Sequence, residues 1–280
     1  SSRLAQVACA WRPRPPASMA PSRVVDVRGR RVAGGMGAAR WLLLAAMAAA
    51  ASPCLGQVHA NAASEGGSFA SRLFDSARPL AEESLKGRFI SEMVAGTLPK
   101  AAFDYYLRQD DLYSTKYVRA FAVLGAKSDS TDELVWLLNE SVGFLRKRAG
   151  HKRHVDDQTF EREASATTLA YTSFFLQATW GEAAIIGYAS VLPCHRLYAW
   201  LFATINATRD IAPDNPYKEF IRQYADPGVH RTTLELEAFL DRYAQHGLSE
   251  EVAARAQYHY DSAMKYEAQF FEEALHHSGG

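Results

Sequence analysis

The residues best able to do chemistry in this 280-residue chain are Cys194, Glu267 and Asp110, which lie far apart in sequence. Cys194 sits in Leu192-Pro193-Cys194-His195-Arg196-Leu197-Tyr198 and is the only cysteine after residue 60, Cys9 and Cys54 preceding it. Such a thiol is either a small buried hydrophobe or a reactive nucleophile, and its local sequence leaves both readings open. His195 beside it forms no Cys–His dyad, because neighbours i and i+1 on a helix point in different directions. Glu267 lies in Tyr266-Glu267-Ala268-Gln269-Phe270-Phe271. Buried among those rings, a carboxyl group has a raised pKa and serves as a general acid or base; on an exposed face it is an ordinary helix glutamate. Asp110 falls between Tyr106 and Tyr113 at i, i+4 and i+7, one face of a helix. An acid between aromatics suits a nitrogen heteroaromatic, whose ring stacks while the acid holds ring nitrogen and amine hydrogens. The same pattern also describes a boundary helix with half-buried tyrosines.

Other chemistries find little support. The nine histidines include no H-E-x-x-H, and no Cys/His cluster has zinc spacing. A di-iron bundle wants two Glu-x-x-His motifs, and only Glu273-Ala274-Leu275-His276 is present. No dinucleotide fingerprint, P-loop or G-x-S-x-G elbow occurs.

The elements that must position these residues read as helix after helix. Ser68 is a cap for a helix to about Lys86, which Pro79 is expected to bend or interrupt. Gly96-Thr97-Leu98-Pro99 is a turn leading into a helix over 100–126. Ser130-Thr131-Asp132-Glu133 has the form of a capping box, and Gly150 closes the helix it starts. A polar loop at 151–158 precedes one helix from Phe160 to Thr179, then another from Gly181 to Thr208. Pro213–Pro216 is a turn into a short helix ending at Tyr224, and Asp226-Pro227-Gly228 is a further turn. Helices over 230–246 and 249–277 complete the chain. With no strand run and no repeat, the expectation is a single all-α domain over residues 69–280, preceded by a flexible linker at 61–68.

Residues 1–60 read as a leader. They carry eight arginines and one acid, leaving 23 basic and 30 acidic residues beyond them, a net of −7. A mildly acidic domain argues against a nucleic-acid partner, whose phosphates call for a basic face. Arg40, the apolar run 41–52 and Val58-His59-Ala60 have the order of a signal peptide, and the run is too short for stable membrane insertion. An Arg-rich, acid-poor leader fits an organelle transit peptide as well. The expected location is therefore the secretory pathway or exterior, or a plastid or mitochondrion. The sequons Asn139-Glu140-Ser141 and Asn206-Ala207-Thr208 both fall in expected helices.

Taken together, the patches resemble the TenA/thiaminase II family over roughly residues 69–277. The markers, in order, are Gly96-Thr97-Leu98-Pro99, Tyr106-Leu107-Arg108-Gln109-Asp110 with Tyr113, Tyr171-Thr172-Ser173, Leu192-Pro193-Cys194 with Leu197-Tyr198, Tyr224, and Tyr266-Glu267-Ala268-Gln269-Phe270. The resemblance implies a heme-oxygenase-like helical bundle, a homotetramer, and no metal or organic cofactor. It implies hydrolysis at the methylene carbon of a 4-amino-2-methylpyrimidine, either an aminomethylpyrimidine or thiamin, and Cys194 implies the cysteine-using branch. Carried over residue by residue, Cys194 is the nucleophile and Glu267 the acid/base. Asp110, Tyr113, Tyr171, Tyr224 and Tyr198 hold the substrate. Arg146 departs from the family pattern, standing near a position that often holds histidine, which bears on pocket details or subunit contacts. The competing expectation is a vitamer-binding protein without turnover, which needs the acid and aromatics but no nucleophile.

Overall fold

The computed structural model describes residues 67–149 and 157–277, and ten helices occur among them. They are α1 (Phe69–Lys86), α2 (Arg88–Ala95), α3 (Lys100–Lys127), α4 (Thr131–Ala149), α5 (Asp157–Glu163), α6 (Ala166–Gly181), α7 (Ala184–Thr208), α8 (Lys218–Tyr224), α9 (Pro227–Ala244) and α10 (Glu250–His276). The leader and most of the linker lie outside the described residues, as do Gly150 and most of the expected polar loop. None of the described helices is long and apolar enough to cross a membrane.

Side-chain caps fix several helix starts. Ser68, Ser165, Asp226 and Ser249 each accept a backbone N–H from the first turn of α1, α6, α9 and α10. Two of these caps correct the sequence reading. Ser165 starts a new helix, so the single helix expected from Phe160 to Thr179 is two, joined at Ala164–Ser165. Asp226 caps α9, so Asp226-Pro227-Gly228 is a helix start, with proline in the first turn where its missing N–H costs nothing. Pro79 sits inside an unbroken α1, and the break falls instead at Gly87, after which α2 forms as a helix that patterning alone did not single out.

α3, α6, α7 and α10 surround a core rich in aromatic rings. α7 is almost wholly apolar and lies close against its neighbours: a Cβ on Gly187 would meet Leu124 Cδ2 at 2.8 Å and Thr179 Cα at 3.3 Å. Glycine therefore sets how closely α7 approaches α3 and α6. At one end of the bundle, Gly96 takes a left-handed conformation (φ 75°) at the end of α2. Asn215 bonds the nearby carbonyls of Met93 and Val94 at 3.1 and 2.9 Å and accepts the Tyr217 N–H at 2.7 Å. The two turns are thus tied together, and α8 is fixed beside the start of α3.

The capping box at α4 is only half made. Ser130 Oγ accepts the Glu133 N–H at 3.3 Å, but the Glu133 carboxylate turns into the core. There it accepts from the hydroxyls of Tyr188 on α7 and Tyr243 on α9 and pairs with Arg242. The Ser130 N–H is bonded by Ser128 Oγ instead, so the carboxylate is free for three stronger partners. Replacing Glu133 with alanine leaves the two hydroxyls and the Arg242 charge without their acceptor. Discounted for the partial exposure of Arg242, the expected loss is about 2–3 kcal/mol of unfolding free energy. Chemical denaturation of Glu133→Ala against the parent measures it, and an unchanged midpoint would contradict the role given to this carboxylate.

Candidate active site

Helix periodicity delivers the candidate residues in pairs. Asp110 and Tyr113 sit one turn apart on α3, Cys194 and Tyr198 on α7, and Glu267 and Phe270 on α10. α6 adds Tyr171. These seven line one narrow cleft among the helices, with a free volume of about 10 Å³. Six of the seven residues expected from sequence are therefore brought together. The remaining one, Tyr224 on α8, adjoins them, its ring 5.1 Å from that of Tyr198 and 4.8 Å from that of Phe220. Its hydroxyl pKa is pushed up, first by burial and then by the charges of Asp110, Cys194 and Glu267. Phe270 stands in the marker Tyr266-Glu267-Ala268-Gln269-Phe270 but carries no expected site role. Its i+3 spacing from Glu267 was the signal that could have placed it.

Glu267 is only 3% exposed. Its carboxyl accepts the Tyr171 hydroxyl at 2.8 Å and a hydrogen bond from the Cys194 thiol. Burial raises its pKa to about 7; those two hydrogen bonds oppose the rise, and the charge of Asp110 adds to it. The Cys194 thiol is pushed up too, by burial first and then by the Glu267 charge, while a hydrogen bond from Tyr113 works the other way. Near neutral pH the resting proton is therefore on sulfur, and the carboxylate beside it is its natural acceptor. The buried Tyr113 hydroxyl has no partner at normal hydrogen-bond geometry, and it lies near both the Cys194 thiol and the Tyr171 hydroxyl. Behind the cleft, Tyr106 and Tyr198 share a 2.6 Å hydroxyl–hydroxyl bond, and the Tyr106 ring lies among Phe89, Phe103, Phe220, Phe270 and Phe271.

His195 belongs to the scaffold rather than the cleft. Its ring contacts those of Tyr117, Phe121 and Phe144, and burial lowers its pKa to about 4. The Tyr117 hydroxyl lies 2.9 Å from both the Val191 carbonyl and His195 Nδ1. A carbonyl only accepts, so the tyrosine proton goes to Val191 and His195 must donate from Nδ1. On the other side, the Thr233 hydroxyl bonds the His195 carbonyl at 3.3 Å. α3 and α9 thereby grip the helical turn that carries Cys194. The lone Glu-x-x-His motif has a similar structural use: Glu273 accepts from Tyr105 and Ser165 at 3.2 and 2.9 Å. Among the described residues, no group of three or more His, Cys, Asp or Glu side chains is placed to hold a metal ion.

A family model described as the TENA/THI-4/PQQC family matches residues 74–277. The aminopyrimidine aminohydrolase of Halalkalibacterium halodurans is 29% identical over 218 residues, 74% of this chain and 95% of that protein. The thiamine biosynthesis multifunctional protein ThiED of Corynebacterium efficiens is 27% identical over 224 residues, 78% of this chain but only 30% of the longer protein. Among solved structures, a TenA homologue from P. horikoshii OT3 superposes with a TM-score of 0.64 at 20% identity, over 75% of this chain and all of that one. That likeness concerns the fold, the heme-oxygenase-like helical bundle expected from the sequence.

The raised Glu267 pKa has a cost in stability. Between about 4.5, its ordinary value, and about 7, the folded protein holds a proton that the unfolded chain has released, so stability falls as pH rises through this window. Above it the cost is fully present, on the order of 3 kcal/mol; below it there is none. Glutamine keeps an acceptor for Tyr171 without the charge. Glu267→Gln should therefore be more stable than the parent near roughly pH 8 and about equal to it near roughly pH 4. Denaturation at both pH values measures this, and a variant less stable at both would refute it.

Proposed function

This chain belongs to the TENA/THI-4/PQQC family, and from that premise we propose that it is a thiamin-salvage hydrolase converting 4-amino-5-aminomethyl-2-methylpyrimidine to the 5-hydroxymethyl compound. The observation that carries this reading is the buried thiol–carboxylate pair of Cys194 and Glu267 facing Asp110 across one cleft. The name of the Halalkalibacterium relative supports the reaction class.

Asp110 holds the amidine edge of the pyrimidine, and the rings of Tyr113, Tyr171, Tyr198 and Phe270 enclose its faces. Glu267 takes the thiol proton as sulfur bonds to a ring carbon. The π pair of the attacked C=N bond moves to nitrogen, and Glu267 returns the proton there, so no unstabilised anion forms. Electron density from that nitrogen then expels the exocyclic amine, which enters as ammonium and leaves as ammonia, and water attacks the methylene carbon left behind, its surplus proton departing with the ammonia as ammonium. Reversal of the first step releases the hydroxymethylpyrimidine and restores the thiol. Tyr171 holds the carboxyl in place through its 2.8 Å bond. Tyr224, its ring against Tyr198, presents its hydroxyl to the charges of Asp110, Cys194 and Glu267 and so belongs to the same cluster. The leader would deliver this activity to the secretory pathway or an organelle, and the active form would be a homotetramer.

Cys194→Ser should lower kcat/KM for the aminomethylpyrimidine by about a thousandfold or more, since an alcohol is a far weaker nucleophile, with the melting temperature little changed. Turnover at the parent's rate would sink the mechanism. Stoichiometric binding without product from the parent protein would favour the vitamer-binding reading instead. Because Glu267 must be ionised to accept the thiol proton, kcat/KM in the parent should rise as pH increases through about 7. Activity that instead falls across that range would show that the resting carboxyl is needed as the acid.

A further inference from the structure

α4 has two apolar faces, and the core uses only one. Its inner face buries Glu133, Leu137 and Ser141 at i, i+4 and i+8, with Trp136 against Phe239 and Phe144 against Tyr117 and Phe121. On the outer face, Val135, Leu138, Val142 and Leu145 are 50%, 44%, 42% and 47% exposed. Their 3-4-3 spacing is the a/d repeat of a coiled-coil seam, running about 15 Å along the helix. Such a stripe on a soluble surface is a contact face in want of a partner.

The residues beside the stripe say what the partner is. Asp132, Asn139 and Arg146 follow one another at sevens along one edge, the e positions, and all are exposed. In an antiparallel pair of helices, e positions face e positions across the seam. Two copies of this helix then set Asp132 of each against Arg146 of the other, with Asn139 against Asn139 on the two-fold axis. The stripe matches itself in the same register, Val135 opposite Leu145 and Leu138 opposite Val142. A parallel pair gains neither charge match.

We propose that α4 is a self-association face, on which two copies of this chain pair α4 against α4, antiparallel, about a two-fold axis at Asn139. Such an interface is isologous and closes at two copies, so a larger assembly needs a second, different face. Arg146, the departure from the family pattern, is then the cation that sets the pairing direction. The proposal stands apart from the chemistry of the cleft and from its success or failure.

Sedimentation velocity on the full chain over a concentration series, with circular dichroism to confirm folding, tests it. Leu138→Glu should weaken association by about a hundredfold or more, halving the assembly. Asp132→Arg and Arg146→Asp should each weaken it about tenfold, and the double variant, which exchanges the charges, should restore it. A monomeric parent would overturn the proposal, as would a folded Leu138→Glu variant that assembles like the parent. A double variant no stronger than either single one would overturn the antiparallel pairing.

Discussion

The structure turns on keeping one carboxyl group dry. Glu267 is held against the Cys194 thiol in a wall of rings, and its proton affinity is lifted to the neutral range because that wall excludes water. Left in solvent, the same pair would be an ordinary thiol and a permanently ionised acid, with no reason to exchange a proton. The folded chain accepts the cost of ionising a carboxylate in a poor dielectric, and the Tyr171 hydroxyl and the thiol offset part of it. Much of the bundle serves this arrangement. α3, α6, α7 and α10 must all approach closely, and Gly187 permits the approach where a larger residue would hold α7 away.

Two buried carboxylates show how environment separates roles that residue type alone does not. Glu133 meets a guanidinium and two hydroxyls and through them ties α4 to α7 and α9. Glu267 meets one hydroxyl, one thiol and the like charge of Asp110, so it hovers between states. The histidines divide in the same way. His195 is next to the nucleophile in sequence, yet its ring points to Tyr117 and steadies the backbone, and its lowered pKa keeps it neutral.

Several elements were legible in the residues. The caps Ser68 and Ser249, the turn at Gly96 and the run of helices without strands follow from local chemistry that acts within a few residues. Local signals failed where a distant partner competed. The capping box at Ser130 predicts that Glu133 folds back on its own helix, but Tyr188, Arg242 and Tyr243 offer it more. The reading of one helix over 160–179 missed Ser165, whose cap is fixed by the distant Gln109 and Glu273 side chains. Pro79 looked like a break and is tolerated, while Gly87 made the real one.

By itself the sequence determined that the fold is helical, which residues share a helix face, and, through the order of its motifs, which residues belong to one constellation. These are properties of spacing along a single element or along the chain. Whether Cys194 was an inert hydrophobe or a thiol beside a proton acceptor lay beyond it, because that depends on residues some seventy to eighty positions away arriving on other helices. Only the packing of α3, α6, α7 and α10 decided it, by bringing acid, thiol and rings into a space too small and too apolar for bulk water. The pKa of a group is set by what surrounds it, and the surroundings exist only in the folded chain.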